Sequence, residues 1–231
     1  MLKKLLSVIL AVTFAANAFA KKGDLHYLQP GQPDIAAAVA PPPQLGSAEQ
    51  KADLETVRVT YHAAEKAPID KAESKIEVFH FIANAGLSLN ETNLPKTAAF
   101  FHNVMDDAKT VVGAGKDFFK RPRPFVTDPS LGTGNSDDSF SYPSGHSTES
   151  MTLALVLADL LPKQRETILG HGRWIGWHRV ELGRHYPTDI FAGRFLAQAI
   201  VEELKKNPAF QKDFAEVKQE IETSLAQNPL K

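Results

Sequence analysis

The chain has 231 residues, 43% of them hydrophobic and 23% charged, with a formal net charge of −1 and no cysteine. This is the composition of an ordinary globular protein, and the near-zero charge gives no ground for a nucleic-acid partner or an anionic membrane surface. The missing thiols exclude a cysteine nucleophile, a thiolate metal site and a lipidated-cysteine anchor.

Residues 1–20 read as a signal peptide, with Lys3 and Lys4 before an apolar run from Leu5 to Phe14 and Ala18-Phe19-Ala20 as the cleavage site. That run is too short to span a bilayer, and no later stretch is long and apolar enough. The mature chain is therefore expected to be exported, to the periplasm or beyond it, with no stable membrane insertion.

Residues 21–46 carry Pro30, Pro33, Pro41, Pro42 and Pro43 and are expected to form an extended arm, laid on the domain or partly disordered. Ser47 and Gln50 form a capping box that opens a helix to about residue 64. Pro68 interrupts, and a second helix through Ile76, Phe79 and Ile82 ends near Gly86. Asn93 is placed to cap a third, with Pro95 in its first turn and Phe100, Phe101, Val104, Met105, Ala108 and Val111 as its buried stripe. After Lys116 the helical pattern gives way to a long loop with Pro122, Pro124, Pro129, Gly132, Gly134 and Pro143, of a length that usually marks function or disorder. Helices resume over residues 147–161, 162–180 and 188–206. Asn207 caps a last one through Phe210, Phe214, Val217, Ile221 and Leu225. The expectation is an all-α fold, a single-domain helical bundle over residues 47–231, with its site made by loops and helix N-termini.

Three groups of residues carry chemistry. Tyr142-Pro143-Ser144-Gly145-His146 stands directly before an apolar helix. Free amides and the positive end of the helix dipole favour an anion there, Gly145 lets it approach the backbone, Ser144 offers a hydroxyl, and His146 titrates near neutrality. Alone, the segment reads equally as a helix cap with a surface histidine. Lys116 and Arg123 form the second group, with Arg123 held between Pro122 and Pro124 so that its guanidinium is presented from stiff backbone. Alone, these read as a basic surface loop, since Lys120 and Arg121 lie there too. The third is Arg179-x5-His185-x3-Asp189. A first-turn carboxylate at 189 can reach back to the His185 ring and fix its tautomer, leaving Nε2 free to attack. A histidine at a helix start is also expected to stay out of the core.

Read together, Lys116-x6-Arg123-Pro124, Pro143-Ser144-Gly145-His146 and Arg179-x5-His185-x3-Asp189 resemble the three-part signature of the type 2 phosphatidic-acid phosphatase superfamily. Within it the signal-bearing chain looks like a bacterial class A non-specific acid phosphatase. The chain departs from that pattern at His178, where the family usually has serine, and at Phe140 and Ser147, where it usually has glycine and threonine. The resemblance implies phosphate-ester hydrolysis through phosphohistidine: His185 as nucleophile held by Asp189, and His146 as the acid and then the base. Lys116, Arg123, Arg179, Ser144 and the Gly145 amide would hold the phosphoryl oxygens. It implies no cofactor and no divalent metal, small phosphate esters as partners, and a homo-oligomer.

Rival readings remain at this level. His171, His178 and His185 recur every seven residues, a spacing that would align zinc ligands on a continuous helix, although Gly183 and Pro187 argue that the helix ends before His185. Vanadium haloperoxidases share the three-part pattern on much longer chains. A catalytically dead binder of phosphorylated ligands would keep the same motifs.

Overall fold

The computed structural model describes residues 25–64, 75–132 and 139–227. The expected leader and Pro68 lie outside them. Nine α-helices and one 3-10 turn make up the regular structure among these residues, and the fold is all-α.

The arm enters first. Asp34 caps a single helical turn, α1 (Ile35–Ala38), so the segment is not extended throughout. Nor does it hang free: Tyr27, Leu28 and Val39 are buried. The Asp107 carboxylate accepts from the backbone N–H groups of His26, Tyr27 and Leu28 at 2.7–3.0 Å. Asn207 donates to the Tyr27 carbonyl. These contacts use up backbone donors that would otherwise need water.

Helix α2 (Ala48–Ala63) begins where the capping box predicts, with Ser47 Oγ accepting from Gln50 N. Only half of the box forms, because the Gln50 side chain turns inward to Arg121. After α3 (Val78–Asn84) comes α4 (Pro95–Phe119), the longest helix. Asn93 does not cap it. Glu220 of the last helix does so from a distance, accepting from Lys96 N, Thr97 N and Thr97 Oγ1 at 2.7–3.0 Å. A carboxylate at a helix N-terminus both fills orphan donors and complements the dipole. The helix also outlasts the expected break at Lys116 by three residues and closes on Lys120 in the left-handed conformation.

A short helix α5 (Pro124–Thr127), unforeseen in the sequence, follows the Arg123-Pro124 step, where proline is well suited to a first helical position. Then come α6 (Gly145–Leu160), α7 (Arg165–Glu181), α8 (Pro187–Lys206) and α9 (Pro208–Gln227). Asn207 caps α9 as the sequence predicts, accepting from Ala209 N and Phe210 N.

Helix α6 is the centre of the molecule and buries residues on nearly every face, from Gly145 and Ser147 to Ala158 and Leu160. It can do so because glycines let its neighbours come close. A Cβ on Gly172 or Gly176 of α7 would stand 2.9 Å from Ala154 Cβ or 3.0 Å from Ser147 Oγ, and one on Gly193 of α8 would stand 2.9 Å from the Ser144 carbonyl. The large core lies around α4, α6, α8 and α9, with Phe81, Phe101, Leu153, Leu157 and Phe210 fully buried. A smaller cluster of Leu54, Val57, Leu131, Val180, Tyr186 and Ile190 packs α2 beneath the start of α8.

Candidate active site

Three helix ends meet where the motifs meet. The last turn of α4 brings Lys116, the first turn of α6 brings Gly145 and His146, and the first turn of α8 brings Asp189. The turn that closes α7 delivers His185. Gly183 adopts φ +66°, a left-handed value suited to glycine, and the chain doubles back so that Arg184 N and His185 N both donate to the Arg179 carbonyl.

His185 is held from two sides. Its Nδ1 lies 3.2 Å from Asp189 Oδ2, and its Nε2 lies 3.2 Å from the Arg123 guanidinium. A guanidinium only donates, so Nε2 must be the lone-pair nitrogen and Nδ1 the N–H that donates to the carboxylate. The residue is 2% exposed, contrary to the expectation of a helix-start histidine outside the core. Burial pushes it down to about 3, against the opposing pull of Asp189.

Asp189 is the hub. Oδ2 accepts from His185, from Ser141 Oγ at 2.5 Å and from Tyr186 N at 2.9 Å, while Oδ1 accepts from Arg121 at 2.6 Å. Burial pushes this carboxyl up, but the His185 hydrogen bond and the Arg121 charge outweigh it and hold the group below the ordinary carboxylate range. Arg121 is no surface loop residue. It is 4% exposed, stacks 3.8 Å over the Tyr186 ring, and donates also to Thr188, Gln50 and Asp53. Asp53 in turn accepts from Thr188 N and Thr188 Oγ1. The loop and α2 are thereby tied to the start of α8.

The remaining motif residues surround this pair. Arg123 donates to Ser139 O, Ser139 Oγ and Arg184 O, and Lys116 donates to Phe140 O at 2.6 Å and lies 3.4 Å from the same Ser139 hydroxyl. Ser144 is fully buried; its amide donates to the Asp189 carbonyl and its hydroxyl accepts from Ser147 N, so it serves as the helix cap. Gly145 is the first residue of α6, crowded by Val112 and Lys116 of α4. His146 is pushed down to about 3, by burial first and then by Arg179, His185, Lys116 and Arg123. The charges of Arg179, Lys116 and Arg123 all bear on this one imidazole.

The seven-residue histidine repeat does not converge. His171 and His178 both stack on Trp174, with ring centroids at 5.8 and 5.1 Å, whereas His185 lies beyond the Gly183 turn. His178 pairs through Nδ1 with Glu181 at 2.6 Å.

Sequence reasoning missed Arg121, Asp53, Gln50 and Ser141. Arg121 is followed by Pro122 as Arg123 is by Pro124, which is a usable signal; the partners on α2 are remote in sequence and left none.

The sequence pattern of the PAP2 superfamily matches residues 98–205, the stretch that holds all three motifs. A non-specific acid phosphatase of Providencia stuartii is 31% identical over 95% of this chain and 98% of its own length. An acid phosphatase of Zymomonas mobilis is 29% identical over 80% of this chain and 74% of its own. A Salmonella typhi non-specific acid phosphatase is 31% identical over 69% of this chain and 65% of its own. The chain belongs to the PAP2 superfamily and, within it, to the bacterial class A non-specific acid phosphatases.

Proposed function

We propose that the protein is an exported acid phosphatase that hydrolyses phosphate monoesters through a phosphohistidine, without a metal ion. The observation that carries the reading is the two-sided hold on His185, which aims the Nε2 lone pair at the guanidinium that would also hold the phosphoryl group.

In the first step Nε2 attacks phosphorus in line, the P–N bond forms and the P–O bond to the leaving group breaks. His146 gives its proton to the departing oxygen, so an alcohol leaves and His146 becomes neutral. In the second step His146 takes a proton from water as the oxygen attacks phosphorus, the P–N bond breaks, and inorganic phosphate and neutral His185 are regenerated. Asp189 stabilises the positive charge on the phosphorylated ring. Lys116, Arg123 and Arg179 supply the fixed positive charge that a divalent cation would otherwise bring to the equatorial oxygens.

Export rests on the leader-like residues 1–20, and no helix among the described residues is long and apolar enough to cross a membrane. The test is turnover of an activated aryl phosphate and an alkyl phosphate, with and without chelator. Chelator should leave both rates intact. His146→Ala should lose far more activity on the alkyl ester, whose leaving group needs the proton. Equal losses on both esters would remove His146 from the acid role.

A further inference from the structure

One carboxyl at the site has no part in that scheme. Glu149 lies one helical turn beyond Gly145 on α6, and its Oε1 stands 3.3 Å from where a Gly145 Cβ would be. The same point is 3.4 Å from Val112 and 3.9 Å from Lys116 Cε. Glu149 thus lies at the seam between α4 and α6, beside Gly145 and the side chain of Lys116, whose charge acts on it. Glu149 is half-buried, and no hydrogen bond or ion pair ties it to another described residue.

We propose that Glu149 is a specificity-determining residue that biases the site by charge, against diphosphates and toward monoesters with uncharged or cationic leaving groups. This rests on the phosphatase reading of the same site and adds the substrate class. A carboxylate here opposes every anion that Lys116 attracts, and opposes a second phosphate group more than a first because the repulsion grows with ligand charge.

The bias works only when Glu149 is ionised. Burial pushes its carboxyl up to about 7, against the pull of Lys109 and Lys116, both on α4. These are the charges that act on it; on its own helix His146 precedes it by three residues, and α7 and α8 meet α6 through Gly172, Gly176 and Gly193. At acid pH the group is neutral and the site accepts anions of any charge. At neutral pH and above it selects.

Calorimetric binding of inorganic phosphate and of pyrophosphate, the latter as its non-hydrolysable methylene analogue, to the wild type and to Glu149→Gln, at about pH 5 and about pH 8, tests this without turnover. At about pH 8 the variant should bind phosphate about tenfold tighter and pyrophosphate about thirtyfold tighter than wild type. At about pH 5 the two proteins should agree within about twofold. Glu149→Leu, which removes the charge but also the polar group, should show the same gain over wild type for pyrophosphate at about pH 8, and none at about pH 5. A pyrophosphate-to-phosphate affinity ratio that is the same in wild type and both variants at about pH 8 overturns the assignment. Because nothing is hydrolysed in either arm, failure of the phosphohistidine chemistry would leave this comparison readable.

Discussion

At the scale of single residues, the site depends on how Asp189 divides its two oxygens, one to His185 and Ser141, the other to Arg121. Asp189→Asn should lower kcat by about three orders of magnitude, because an amide stabilises neither the needed tautomer nor the charged ring. Arg121 does not face the phosphate but anchors Asp189, Asp53, Gln50 and Thr188 at once, a planar geometry that lysine cannot span. Arg121→Lys should therefore cut kcat about tenfold or more and leave KM nearly unchanged, since substrate contacts survive while the nucleophile loses its aim. A rise in KM with kcat intact would mean that Arg121 binds substrate directly. The signature residues and their spacing were legible in the sequence. The buried network was not, because Asp53 and Gln50 reach Arg121 only after α2 has packed against the start of α8.

At the scale of elements, the hydrophobic periodicity located most helices well, since a stripe at spacings of three and four must face a core wherever that core lies. The ends were less legible. Asn93 offers the side chain of a local cap, yet α4 is capped by Glu220, a partner more than a hundred residues away that only folding supplies. The position of α6 was equally hidden, for the glycines that admit α7 and α8 to its sides look like ordinary helix weaknesses in the sequence. Gly193→Ala tests their role. Alanine improves helix propensity by about 1 kcal/mol, but its Cβ would meet the Ser144 carbonyl at 2.9 Å, and backbone cannot swing aside. Overpacking should prevail, with a net loss of about 1–2 kcal/mol in urea denaturation and reduced activity, because Ser144 is itself among the residues proposed to bind phosphate. An alanine variant more stable than wild type would show that α8 can shift without cost.

At the scale of the whole molecule, the site gathers Lys116, Arg123 and Arg179 around two buried histidines. His146 and His185, both ordinarily near 6.5, are pushed to about 3. A group whose folded value is depressed contributes stability that is present above its unfolded value and lost as pH falls toward the folded one. The empty protein should thus lose stability through these two histidines as pH drops from 6.5 toward 3. A bound phosphate answers Arg179, Lys116 and Arg123, the charges that add to burial in holding His146 down, and so raises His146 and draws in a proton. The increase in melting temperature on adding phosphate should accordingly be larger at about pH 5 than at about pH 8, with proton uptake visible in calorimetry across buffers of different ionisation enthalpy. An equal increase at both pH values would mean that the histidines do not sense the ligand. The arm belongs to this scale as well: Tyr142 beside the Ser144-Gly145-His146 segment donates to the Ala40 carbonyl, while Asp107 and Asn207 fix residues 26–28. Its prolines foretold a stiff segment; where that segment lies was set by partners far along the chain.

The central claim is that His185 carries the phosphoryl group. It is tested most directly by acid-labile, base-stable phosphate trapping from an activated aryl phosphate, with the modified residue located by mass spectrometry. His146→Ala should accumulate label on His185, because its first step proceeds and its water is no longer activated; His185→Ala should carry none. Label on His146, or any adduct that persists in His185→Ala, would contradict the account.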